Sequence, residues 1–191
     1  MLRLGDPARE AAEDVFFGQI VMIWARWAMI AAAAVLFLWN TGDVGGLTGR
    51  VLLLAGLMSV NFFLHGRYLV ERPANRALIL LASLVDVALI AAAVALWGGF
   101  TSQLFVLLYP VLFAFALVFP PRFTAALAVV AAALYVAGVA AFDLSWTHDV
   151  QLVKTLLVRL LALGAVAGLG TYYWRIQRDR RRAALTAALG R

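Results

Sequence analysis

Residues 80–92 read LLASLVDVALIAA, and Asp86 is the only charge in that run. The surroundings settle the solvent first. Of the 191 residues, 65% are hydrophobic and the mean hydropathy is +0.93, more apolar surface than a water-soluble domain of this size can hide. The chain therefore reads as an integral membrane protein. Several of its stretches approach the roughly 20 apolar residues a helix needs to cross about 30 Å of hydrocarbon. Backbone amides in lipid need partners within their own segment, and the runs lack the alternation of barrel strands, so the expected fold class is all-α, a transmembrane helix bundle.

Working outward from Asp86, spans are expected at about 22–41, 51–70, 77–97, 102–119, 123–142 and 153–174, six in all. The intervening GDVGGLTGR (42–50), ERPANR (71–76), GGFTS (98–102), PPR (120–122) and DLSWTHD (143–149) carry the Gly, Pro and Asx residues that end helices. None is long enough to fold by itself. The chain divides into a cytoplasmic or interfacial helix (1–21), a six-helix membrane domain (22–174) and a basic helical tail (175–191).

Basic residues set the orientation. The N-terminus, the 71–76 turn, Arg122 and the tail share one side and hold 13 of the 16 Lys and Arg, with Arg26 and Arg67 counted as snorkelling there. Only Arg50, Lys154 and Arg159 fall toward the other side. Both termini are thus expected in the cytoplasm. The net charge of +6 reflects topology and lipid headgroups. Nucleic acid is not an expected partner, because no basic stripe is interleaved with stacking aromatics.

The two ends have their own logic. Asp6-Pro7 suits a cap followed by the first helical position, and Glu10, Glu13 and Asp14 suit the positive end of a helix dipole, so a helix should begin near Pro7. With Phe16, Phe17, Trp24 and Trp27 it reads equally as a stretch in the headgroup layer or as the first turns of one long helix. It is not a cleavable signal, since acids precede the apolar run. At the other end Trp174 is an interfacial anchor, followed by Arg175, Arg178, Arg180, Arg181 and Arg182 on a helix leaving the membrane.

Cysteine is absent, which removes disulfides, thiolate metal sites and iron–sulfur clusters. His65 and His148 fall near opposite ends of the bundle, a poor geometry for a shared haem or metal, and each reads as an interfacial side chain. No catalytic triad, carboxylate cluster or phosphate-cradling loop is recognisable, so neither an enzyme, a metal site nor a cofactor is expected.

What remains is an intramembrane polar cluster. An isolated charge near the bilayer centre costs on the order of 2.5–3.5 kcal/mol even on the lenient insertion scale. Counted from the outer ends of their spans, Asn61, Asp86 and Arg159 lie at comparable depths, so Asp86 is expected to pair with Arg159, with Asn61, Tyr109 or Tyr135 completing the hydrogen bonds. The alternative is a protonated Asp86 bonded to Ser83 or a backbone carbonyl. Gly164-x-x-x-Gly168 should let backbones approach closely, chiefly within one chain, and Tyr109-Pro110 should kink the fourth span.

Asp86, WGGFTSQLFVLLYPVLFAFALVFPPRF (97–123), AALY (132–135) and the basic exit after 174 together resemble the N-terminal membrane region of polytopic bacterial sensor histidine kinases. Arg26-Trp27 matches the Arg-Trp near the first span of those regions, and the likeness covers most of residues 26–180. It implies a signal-receiving bundle whose last helix drives a dimer. The chain departs from that family in carrying neither a dimerisation helix with a phospho-accepting histidine nor an ATP-binding domain. Two partnerships follow beyond the lipid bilayer: a homodimer, as in a sensor input module, or another membrane protein, as in an accessory subunit of a larger complex.

Overall fold

The computed structural model describes residues 7–39, 46–70, 75–142 and 148–189, and every regular element among them is helical. The α-helices are α1 (Pro7–Leu38), α2 (Leu47–Leu69), α3 (Arg76–Leu96), α4 (Leu108–Val118), α5 (Pro121–Phe142) and α6 (Val150–Leu189). Five of the six are long and apolar enough to cross a membrane, which makes the chain a multi-pass membrane protein.

The fourth expected span takes a different form. Residues 103–107 wind as a 3-10 helix that passes into α4 at Leu108, and the apolar segment Gln103–Val118 is too short to rank with the other five. Pro110, expected to kink the fourth span, falls in the first turn of α4, just after the change of winding. A first-turn residue has no intrahelical N–H partner to lose, and the tighter 3-10 winding before it accommodates the ring. The short element sits in the middle of the bundle, packed by α1, α3, α5 and α6. Leu108, Leu112, Phe115 and Ala116 are almost fully buried there.

Helix ends follow the sequence. The Asn75 side chain accepts from the Leu78 N–H at 2.8 Å and starts α3; Asp149 Oδ1 accepts from the Gln151 N–H at 2.8 Å and starts α6. Pro121 occupies the first position of α5. The turn after α3 needs its two glycines: Gly98 has φ 103° and Gly99 φ 52°, both left-handed. Asp6 lies outside the described residues, as do the side chains of Glu10, Glu13, Asp14, Phe16 and Phe17. The backbone of α1 nevertheless runs unbroken from Pro7, so the N-terminal segment and the first span are one helix.

Glycine contacts give the register. A Cβ on Gly49 would lie 2.8 Å from the Trp97 ring and one on Gly56 3.6 Å from Leu89, so α2 and α3 are antiparallel with Asn61 level with Asp86. A Cβ on Gly170 would come within 2.5 Å of Ala116, and Arg159 meets the 102–105 segment, so α4 and α6 run parallel. Gly164 and Gly168 have nothing within 4 Å. Of the expected pattern Gly164-x-x-x-Gly168 continued by Gly170, the close approach is made by Gly170, because α6 turns the 164/168 face away from α4.

Candidate functional site: two polar anchors in the bundle

Asp86 is the middle residue of the 21-residue α3, nearly fully buried, and its partner comes from α1. Arg26 Nε stands 2.7 Å from Asp86 Oδ2, with the two side chains 3% and 2% exposed. This corrects two expectations. Arg26 does not snorkel to the cytoplasmic side, and the acid is not matched with Arg159. The physical reason is lateral: α4 fills the bundle centre and packs on α6, while Arg26 reaches α3 across the start of α4. Placing both charges at mid-span costs several kcal/mol per ion, which their attraction offsets only while the pair stays intact.

The pair is not saturated. Nε and Oδ2 meet as an ion pair without a well-directed hydrogen bond, and Nη1 and Nη2 of Arg26, fully buried, have no hydrogen-bond partner among the described residues. Asn61, level with Asp86 on α2, is 0% exposed, and among the described residues neither end of its amide is bonded. Ser83 Oγ, one turn before Asp86, donates back to the Ile79 carbonyl at 2.9 Å and not to the carboxylate.

Arg159 belongs to a second anchor, nearer the outer end. Its Nη1 donates to Tyr135 Oη at 3.0 Å and its Nη2 to the Ser102 carbonyl at 2.9 Å. The guanidinium carbon lies 4.9 Å from the centre of the Phe105 ring and 5.9 Å from that of Tyr135. Tyr109 joins through Phe105, edge to face at 5.5 Å. Tyr135 is fully buried and meets Phe100 and Phe105 as well. One arginine thus ties α6 to α5 and to the turn that Gly98 and Gly99 shape. The expected cluster of Asp86, Arg159, Asn61, Tyr109 and Tyr135 resolves into two sites, with Arg26 and Ser102 the members that sequence reasoning missed.

On the other side of the Arg26–Asp86 pair, Trp27 Nε1 donates to His65 Nδ1 at 3.3 Å, while His148 is exposed. Among the described residues no group of His, Asp or Glu is arranged to hold a metal ion. In the tail Arg175, Arg178 and Arg180 are exposed, with Arg178 stacked 5.0 Å above Trp174; the side chains of Arg181 and Arg182 lie outside the described residues. No family model, no curated protein and no solved structure matches this chain.

Proposed function

We propose that the chain is a non-catalytic membrane module that passes a signal, or docks a partner, through α6, as the input regions of sensor histidine kinases do. The reading takes six membrane passages with both termini in the cytoplasm of a bacterial inner membrane. What supports it most is α6 itself. It runs without a break for 40 residues from Val150 to Leu189, roughly 60 Å at 1.5 Å per residue, about twice a bilayer core. One face is clamped to the bundle at Arg159, Leu163 and Gly170, and the opposite face presents Leu161, Gly164, Gly168 and Leu169 outward. A displacement of the bundle at Arg159 is carried by a rigid rod to the arginines of the tail.

Association through the Gly164/Gly168 face is the corresponding partner mode, since small residues four apart let two helices approach closely. The absence of cysteine makes the test clean. Single cysteines placed in turn at positions 161–169 are oxidised in native membranes. The reading expects disulfide dimers at positions 161, 164, 165 and 168, with little at 163 or 167, which face α4 and the core. Uniformly absent dimers, with a second membrane protein co-purifying in fixed ratio, would replace it with the accessory-subunit reading. That second reading has its own support in the outward face of α2, where Leu52, Phe62 and Phe63 are all more than half exposed.

A further inference from the structure

Arg159 is a permanent cation held by neutral groups. Its guanidinium carries five N–H donors, of which Nη1 spends one on Tyr135 Oη and Nη2 one on the Ser102 carbonyl. The other three, and the whole of the charge, are left without an acceptor among the described residues. Tyr135, Ser102 and Phe105 are all buried and cover the bundle side of a side chain that is itself partly exposed, so the unspent donors face outward. We infer that Arg159 is the binding site for the phosphodiester group of one anionic phospholipid, seated at the end of the bundle where α5 stops and α6 starts.

Depth, chemistry and neighbours select this ligand. The Arg159 backbone lies roughly 13 Å along α6 from Val150, and helical side chains lean toward the start of their helix, which lifts the charge from there. The level it reaches is that of Ser102, in a turn of irregular backbone whose Thr101 and Gln103 are exposed. Hydrocarbon does not tolerate such a turn in contact with it, so this level is the polar boundary of the bilayer, where phosphates are. A planar fork of N–H donors matches two oxygens of one phosphate. Phe105 against its face, with Tyr135 and Ser102 at its inner edge, holds the fork in one orientation before a ligand arrives. A partner helix could offer a carboxylate of similar shape, but the flank of Arg159 suits a lipid. Val158 beside it is 66% exposed, a bed for an acyl chain, and Lys154, one turn above Val158, is exposed as well. Two cations on this flank favour a headgroup of net negative charge over a zwitterionic one, whose ammonium Lys154 would repel.

The experiment is lipid photolabelling mapped by peptide mass spectrometry. The full-length protein is reconstituted in phosphatidylcholine nanodiscs doped with a little phosphatidylglycerol bearing a diazirine next to the glycerol, or in a parallel sample with phosphatidylcholine bearing the same group. The inference requires the phosphatidylglycerol probe to label residues 101–106 and 155–162 several-fold more than the phosphatidylcholine probe does. Equal labelling by the two in the unmodified protein overturns it, whether or not any variant folds. Arg159→Gln abolishes the preference at both segments and leaves labelling around Trp174, at the opposite end of the α6 span, as it was; a preference that survives the substitution overturns the inference. Inorganic phosphate at matched ionic strength leaves the labelling unchanged. If it erases the preference instead, the ligand is the free ion and the lipid is overturned. Labelling absent from 155–162, with a second membrane protein co-purifying in fixed ratio, overturns it in favour of a partner's carboxylate.

Discussion

Replacing Asp86 by leucine is the sharpest test of how the bundle tolerates charge. The Asp86 and Arg26 side chains are 2% and 3% exposed, and removing one leaves the other buried without compensation. With charge centres about 4 Å apart and an effective dielectric near 20, the lost attraction is about 4 kcal/mol, matching the roughly 3–5 kcal/mol found when one member of a buried pair is removed. Arg26→Met alone strands the acid and should cost a similar amount. In Arg26→Met/Asp86→Leu no charge remains to desolvate, so the double variant should recover to within about 1 kcal/mol of the parent or exceed it. The assay is reversible unfolding in mixed micelles with increasing SDS, read by tryptophan fluorescence, on four proteins of one cycle, with Arg159→Gln crossed against Asp86→Leu as the control. A coupling energy for the first cycle below about 0.5 kcal/mol, the scatter of independent sites, refutes the pairing. So does a control cycle coupled as strongly as the first, since it would return the acid to Arg159.

Three further outcomes follow from the geometry. Gly170→Ala should destabilise by about 1–3 kcal/mol in the same unfolding assay, because its Cβ would lie 2.5 Å from that of Ala116, whereas Gly164→Ala, with open space around it, should be neutral or stabilising by up to about 1 kcal/mol. Arg159→Lys keeps the charge but not the two-pronged grip on Tyr135 and Ser102 or the planar stack on Phe105; a loss of about 1–3 kcal/mol is expected, with faster proteolysis in the 98–107 segment as a second readout. Gly98→Ala should cost about 1–3 kcal/mol, since alanine at φ 103° is strained and its Cβ would press on Ser102 at 3.2 Å, measured again by SDS unfolding.

The helices were legible because lipid leaves the backbone no alternative: a long apolar run must be helical, and Asn75, Asp149 and Pro121 mark its beginnings. The depth of Asp86 was legible too. Its partner was not, because counting residues gives position along the membrane normal and nothing about neighbours in the plane. Arg26 stands 13 residues before Trp39, Asp86 11 before Trp97 and Arg159 9 after Val150, so depth alone offers two cations for one acid. A first span beginning at 22 implies a snorkelling Arg26, but α1 begins at Pro7, which places Arg26 well inside the apolar segment Gln19–Phe37. The role of Pro110 was hidden for a different reason. A proline reports a missing donor, and only the 3-10 winding of 103–107 reveals that the donor was not needed.

Between helices in lipid there is little hydrophobic driving force, so close packing and polar contacts must choose the arrangement. The two arginines choose different things. Arg26 lies where a charge is most expensive and is matched by a carboxylate, which fixes α1 against α3 on the side of α4 away from α6. Arg159 lies higher, is half-buried, and among the described residues is held by a phenol, a carbonyl and an aromatic face, all neutral. Neutral partners orient a guanidinium without cancelling its charge, so they resist sliding and tilting less steeply than an ion pair does. With Gly170 seated on Ala116 further down, α6 is pinned at two heights to a core that the other pair makes rigid.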